Sequence, residues 1–305
     1  MKIGIQFDPR GNPDLDAILQ GFVQAEEEGF EAIWLGQVFD HDVLTLFALA
    51  GARTERIEFG TSVIPLPTRH PTALAQQALT TQLATNGRLC LGVGCGHAVI
   101  LDKKLGLEPD APVGRTREAL EVLRPLLRGE YVKYAGEYQR MRVGTPIAGA
   151  AAPSVILAAL GPRMIELAGE LTDGVTLVFA GARFIAENVR PRLPAGARIV
   201  ASVPVAVTDH ADVVKPAIDV YTGPSTALPA YQRVMESQAT ERVSDVGIIG
   251  SAAEVEDGLA ALAESGVTDL NPILLHVDED PGSARSTREL LASIARKTRD
   301  RREEA

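Results

Sequence analysis

Ile57-Glu58-Phe59-Gly60-Thr61-Ser62-Val63-Ile64 reads as a strand, Pro71 opens a helix that Gly87 closes, and Arg88-Leu89-Cys90-Leu91-Gly92-Val93-Gly94 reads as the next strand. Neither strand shows a clean alternation of apolar and polar residues. Near-continuous apolar runs are expected where both faces of a strand are covered, which is the condition of a parallel sheet. Parallel neighbours need a crossover of about this length, so residues 57–94 make one strand-helix-strand unit.

The unit repeats in both directions. Upstream, residues 2–7 and 32–36 read as strands. Between them Asn12-Pro13 is a helix start, a capping side chain before a proline. Leu15, Ile18, Leu19 and Phe22 mark the apolar face of that helix and Gly29 ends it. A helix at 43–54 then leads into the quoted strand. Downstream, a longer connection precedes a helix at about 115–128, and residues 131–142 alternate around Gly136 as a small antiparallel hairpin. Strands follow near 154–160, 174–179, 198–207 and 269–277, with helices near 162–171, 181–190, 252–265 and 284–298. Residues 209–247 carry only weak helical pieces and read as irregular. Strand then helix, eight times over, predicts one (β/α)8 TIM barrel across residues 1–305, with an open doubly wound sheet as the competing architecture.

Composition bounds the function. The chain has 305 residues, 46% hydrophobic and 23% charged, with a net charge of −10 and two cysteines. These fractions belong to a globular protein. Nucleic acid is disfavoured as a partner, because phosphates call for a net basic face. Two cysteines supply neither a disulfide framework nor a four-ligand zinc pattern. No run approaches the ~18 apolar residues of a membrane span, and Asp8 and Pro9 interrupt the N-terminus before a signal-length run forms. The expectation is a cytoplasmic protein acting on a small molecule.

In a barrel the chemistry sits at the C-terminal strand ends. Those ends carry Gln37 with Asp40-His41-Asp42, Ser62-Val63-Ile64 with Arg69-His70-Pro71, Gly94-Cys95-Gly96-His97, Ala159-Leu160-Gly161-Pro162-Arg163, and Phe179-Ala180-Gly181. His97 follows a glycine at a strand end, where an imidazole suits proton transfer near neutral pH; a plain structural histidine is the alternative. His41 reads as a general acid or a solvated loop residue. Three neighbouring loop residues rarely face one ion, so no metal is expected. His70 reads as a cap. Gly92, Gly94 and Gly96 miss the dinucleotide fingerprint because residue 99 is Val, and serve either a tight corner or close approach to a flat ligand. Gly161-Pro162 is either turn chemistry or a helix N-terminus facing a phosphate, with Arg163 alongside. Cys95 lacks basic neighbours that would favour a thiolate, and reads as packing against a ligand. Phe7, Phe39, Leu66, Phe179 and Tyr221 suggest an apolar mouth. Neither a lysine nor paired carboxylates stand at these ends, which argues against a barrel lyase or isomerase.

Several motifs fall in a telling order. They are Ala25-Glu26-Glu27-Glu28-Gly29-Phe30 with Ile33-Trp34, then Gly60-Thr61-Ser62-Val63 with Arg69-His70-Pro71 and Gln76-Gln77. Asn86-Gly87-Arg88 through Gly94 follows, then Ala168-Gly169-Glu170 with Asp173-Gly174. Together they resemble the bacterial-luciferase-like superfamily of flavin and deazaflavin enzymes, from residue 1 to about 180 and weakly to 277. The closer likeness is to the branch using coenzyme F420, an 8-hydroxy-5-deazaflavin, which includes methylenetetrahydromethanopterin reductase.

The resemblance implies a homodimeric oxidoreductase that moves a hydride between C5 of the deazaflavin and a small unsaturated substrate (C=C, C=N or C=O). It also implies a non-prolyl cis peptide at Ser62–Val63. Ser62, Val63 and Ile64 would brace one ring face, Gln37, Cys95 and Gly96 would line its polar edge, and Leu160, Gly161 and Arg163 would take the phosphate. Ala159 and Phe179 complete the cofactor set. Many relatives carry Asp-His where this chain has Gln37-Val38, and sugar-phosphate relatives carry a glutamate where it has His97. Glucose-6-phosphate oxidation is therefore disfavoured, and proton transfer falls to His97 or His41. The alternatives are an FMN-dependent monooxygenase on the same barrel and a non-catalytic flavin-binding protein.

Overall fold

The computed structural model describes residues 1–7 and 14–303. The strands are β1 (Lys2–Gln6), β2 (Ala32–Leu35), β3 (Glu58–Thr61), β4 (Ile64–Pro65), β5 (Leu89–Gly94), β6 (Tyr131–Ala135), β7 (Arg140–Gly144), β8 (Ser154–Ala158), β9 (Gly174–Val178), β10 (Arg198–Val207), β11 (Ile248–Gly250) and β12 (Asp269–Ile273). Parallel pairing runs β1-β2-β3-β5-β8-β9-β10-β12 and returns to β1, closing an eight-stranded barrel. β4 continues the line of β3 and pairs with β5, while β11 adds to the upper half of β10. β6 and β7 form the expected antiparallel hairpin.

The covering helices are α1 (Leu15–Glu28), α2 (Val43–Gly51), α3 (Pro71–Ala84), α4 (Ala98–Leu105), α5 (Pro112–Leu127), α6 (Pro162–Leu171), α7 (Ala182–Phe184), α8 (Ala211–Thr226), α9 (Pro229–Ser237), α10 (Ala252–Glu264) and α11 (Ser283–Glu303). The sequence dictates their ends. Gly29 closes α1 at φ 98°, a left-handed conformation that a side chain resists, and its N–H bonds Ala25 and Glu26 carbonyls. Ser251 and Glu254 form a reciprocal capping box on α10.

Two cores result. Outward strand residues such as Ile33, Phe59, Leu91 and Leu157 pack with helix residues such as Phe22, Phe47 and Leu123. Burying each such side chain contributes roughly 1.5–3 kcal/mol. Inside the barrel, Ala32, Trp34, Cys90, Ile156 and Val200 fill the middle. Trp34 fits because Gly4 and Gly60 carry no Cβ; one on Gly60 would stand 2.2 Å from the indole ring. Beneath it Arg198 lies 5.3 Å from the Trp34 ring and binds Asp269 at 3.0 and 2.6 Å, and Glu58.

Several expectations need correction. The strand at 57–64 is interrupted between β3 and β4, at the Ser62–Val63 peptide, which is cis as the resemblance implied. The last strand ends at Ile273 rather than 277. Residues 209–247 are largely helical, as α8, α9 and a 3₁₀ turn (Val243–Asp245), and β11 follows them. Pro216, Pro224 and Pro229 hide this region from a propensity reading, although Pro229 sits harmlessly in the first turn of α9. The connection after β5 holds α4, and α7 continues as a π-turn over Ile185–Val189. Leu15 is exposed, leaving Ile18, Leu19, Phe22 and Ala25 as the buried face of α1. The expected start at Asn12-Pro13 lies outside the described residues; Asp14 caps α1 by accepting from Ala17 N at 2.8 Å. No helix among the described residues is long and apolar enough to cross a membrane.

Candidate active site

The wide C-terminal end of the barrel is floored by small residues. Gly36, Ser62, Gly94 and Ala158 end neighbouring strands, and a Cβ on Gly94 would meet Val63 Cγ2 at 3.0 Å and Ala158 Cβ at 3.2 Å. Asn271 on β12 donates to Ser202 Oγ at 2.8 Å and reaches Ser62 Oγ at 3.5 Å, crossing the same layer. Asn271 Oδ1 and Thr176 Oγ1 are buried and have no hydrogen-bond partner among the described residues. The small residues of this layer give it the form of a seat for the face of a flat ring.

His97 stands at the rim as the N-cap of α4, with its side chain free of capping duty. Its Nε2 lies 3.3 Å from Tyr231 Oη on α9, and the Tyr231 ring packs 5.3 Å from Phe179. Burial pushes the His97 pKa below its ordinary value and pushes that of Tyr231 up to about 12. At pH 7 the pair is therefore a neutral imidazole beside a neutral phenol. Phe179 holds φ 59°, uncommon for a bulky residue. Gln238 fixes that turn by donating to Phe179 O at 2.9 Å and accepting from Gly181 N at 2.6 Å.

On the opposite rim, Gln37 N bonds Val63 O at 3.2 Å. The Gln37 carboxamide oxygen accepts from Val43 N at 3.1 Å and from Arg69 at 2.9 Å. Arg69 also pairs with Asp42. Burial raises the Asp42 pKa, but bonds from Thr45 and the Arg69 charge outweigh it and hold the carboxyl below the usual range. His70 caps α3, its Nδ1 accepting from Thr72 N at 3.3 Å.

Two cavities open beside the floor. One of about 950 Å³ runs from Cys95, Gly96 and His97 past Arg69 to Arg115, Tyr138 and Arg140. The other, about 210 Å³, lies at the N-terminus of α6 between Leu160, Gly161, Arg192 and Arg233. Ala230 and Arg233 of α9 line both.

The structure thus places Cys95, Gly96 and His97 on the larger cavity and Leu160 and Gly161 on the smaller; Gln37, Ser62, Val63 and Phe179 line neither, though Gln37 bonds the larger cavity's Arg69 and Phe179 packs on Tyr231. Others stand apart. Ile64 and Ala159 are buried in the outer core, because alternation along a strand turns them away from the axis. Arg163 is exposed and lines neither cavity; Arg192 and Arg233 stand where it was expected. His41 lines neither cavity, and its buried Nδ1 has no partner among the described residues. Phe7 packs on Phe22 at 4.8 Å, on the helix side rather than in the mouth. Phe39 is 57% exposed and Tyr221 43%. Cys95 reaches the larger cavity with its thiol pKa raised by burial, consistent with packing rather than nucleophilic duty. Among the described residues no group of three or more His, Cys, Asp or Glu gathers to hold a metal ion. Tyr231, Gln238 and Arg233 escaped the sequence reading because α8 and α9 did.

The family model described as luciferase-like monooxygenase matches residues 1–269. A Mycobacterium tuberculosis protein named as a coenzyme F420-dependent oxidoreductase is 31% identical over 197 residues, 60% of this chain and 57% of that protein. The chain spans little more than half the length of the curated relatives it matches. Among solved structures, the coenzyme F420-dependent tetrahydromethanopterin reductase of Methanopyrus kandleri superposes with TM-score 0.73 at 21% identity, covering 95% of this chain and 97% of that one. A Type II Baeyer-Villiger monooxygenase of Pseudomonas putida in complex with FMN gives TM-score 0.73 at 19% identity, covering 96% of each chain. At such identities these structures speak for the fold alone.

Proposed function

The chain belongs to the luciferase-like monooxygenase family, and from that membership we propose a coenzyme F420-dependent oxidoreductase acting on a carbon–carbon, carbon–nitrogen or carbon–oxygen double bond. The observation that carries this reading is the small-residue floor of Gly36, Ser62, Gly94 and Ala158, beside which His97 stands at the end of the same strand as Gly94. When bound, the deazaflavin gives or takes a hydride at C5. Ser62 and Val63 would underlie the ring, and Gln37, Cys95 and Gly96 would line its edge. The α6 N-terminus at Gly161, with Arg192, would hold the phosphate through backbone N–H groups and guanidinium charge. His97, neutral at pH 7, takes or returns the accompanying proton at a ring nitrogen. Tyr231 orients it. The apolar side chains of Leu66, Phe179 and Leu228 keep water from that exchange. The homodimer belongs to the same proposal, and sedimentation is expected to show twice the 32.4 kDa chain mass.

An FMN-dependent monooxygenase is the second reading, favoured by the description of the matching family model as luciferase-like monooxygenase. Titration of the purified protein with coenzyme F420 and, separately, with FMN, followed by cofactor fluorescence, separates the two. Saturable binding selective for F420 is expected. Selective FMN binding with oxygen uptake replaces the proposal by the monooxygenase reading, and binding of neither overturns both.

A further inference from the structure

The larger cavity is more than the cofactor ring needs. Its roughly 950 Å³ lies at the top of the range for drug-sized ligands. Most of its wall is apolar, with Leu66, Pro67, Val99, Leu107, Leu228 and Pro229 among the lining side chains. The charged groups are unbalanced in one direction. Glu108 and Asp110 are its carboxylates among the described residues, and Arg115 already holds both, at 3.4 and 2.7 Å. Arg69 is spent on Asp42 and Gln37. Arg140 and Arg233 remain, both exposed at the cleft, and no ion pair or hydrogen bond engages their guanidinium groups among the described residues. Two uncommitted cations in the cleft of a chain with net charge −10 are a local reversal of the molecule's field.

One wall of the cleft is also held firmly in place. The Glu118 carboxylate accepts from the backbone N–H groups of Glu137, Tyr138 and Gln139 at 2.8, 2.7 and 2.7 Å, pinning the hairpin turn beside Arg140. Gly136 makes room for it, since a Cβ there would stand 2.4 Å from Glu118 Oε2. Arg115 lies 4.6 Å from the Tyr138 ring and ties the same turn to α5.

We infer that this cavity is a substrate site for an amphipathic organic anion, its apolar body along the Leu and Pro wall, its carboxylate on Arg140 and Arg233, and its reacting end towards His97. The inference rests on the enzyme reading above. It also enlarges that reading, because the substrate becomes a cleft-filling acid rather than a small neutral molecule. Carboxylates of the cofactor's own side chain share this chemistry, and the test separates the two sources.

The probes are 8-anilinonaphthalene-1-sulfonate and its uncharged counterpart N-phenyl-1-naphthylamine, whose fluorescence rises in apolar sites. The protein is expected to bind the anion about tenfold more tightly than the neutral probe. Arg140→Gln and Arg233→Gln should each lower anion affinity about threefold or more and leave the neutral probe unchanged. The exposed Arg301→Gln serves as a charge control and should change neither. Coenzyme F420 is titrated against the same variants. Equal binding of the two probes, or a preference untouched by both variants, overturns the inference. So does a loss of F420 affinity in Arg140→Gln with the anion preference intact, which assigns that cation to the cofactor. Failure of the wild type to bind F420 while the preference stands overturns the proposed function alone.

Discussion

At His97 the local surroundings decide the chemistry. Burial favours the uncharged ring, so its pKa lies below the ordinary 6.5 and the neutral form prevails at pH 7. Turnover that uses this form should be lost as pH falls through the depressed value, giving the pH–rate profile an acidic limb below pH 6.5. His97→Gln is expected to reduce kcat by about 10²- to 10⁴-fold while the F420 dissociation constant stays within about threefold. Steady-state kinetics at saturating cofactor, with a fluorescence titration beside them, check both parts. Tyr231→Phe removes the phenol 3.3 Å from Nε2 and is expected to lower kcat while the acidic limb stays in place, because burial sets the His97 shift. An unchanged kcat would reduce Tyr231 to a packing residue.

The elements divide into those that hold the barrel and those that shape its mouth. Glu26 on α1 accepts three backbone N–H bonds, from Glu55, Arg56 and Ile57, and Arg88 donates to the Thr54, Ile57 and Thr85 carbonyls. The motifs that carried the family resemblance are thus largely fasteners of helix to strand. The mouth depends on α9 and on Gln238, which follows it. Gln238→Ala would leave Gly181 N and Phe179 O without their partner, at a cost of about 1–3 kcal/mol. A lowered melting temperature and a raised KM are expected together, since the freed turn carries the ring that packs on Tyr231. An unchanged KM would show that the turn is no part of the site.

On the scale of the whole molecule, the barrel is polarised along its axis. Its narrow end is sealed by Arg198 with Asp269 and Glu58, its middle is filled by Trp34, and its wide end is left bare. The Arg198 charge is raised in pKa by its acidic partners despite burial. Arg198→Met would leave the buried Asp269 carboxylate without its cation, while Glu58 keeps Lys2 at 2.9 Å, and breaking a buried pair in this way costs about 3–5 kcal/mol. Urea unfolding should show that loss, with the F420 dissociation constant unaffected because the two ends share no side chain. A neutral result would mean that water reaches the floor and relieves the charges.

Much of this was written locally. Apolar run lengths, caps such as Gly29 and the strand-helix alternation determined the barrel and its hairpin, because they depend on neighbours along the chain. They also placed His97, Cys95 and Gly96 at a strand end. What a strand end faces was beyond them. Ile64 and Ala159 turned outward through one-residue alternation, and Phe7 joined the helix layer. Helices α8 and α9 were masked by their prolines, so Tyr231 and Arg233 became visible only once α9 was seen beside His97 and the larger cavity. The His97–Tyr231 contact spans 134 residues, and the arginines of the cleft, from Arg69 to Arg233, lie farther apart still. Local propensity carries no information about such meetings. Barrel closure decides them, because it brings the ends of distant strands around one axis.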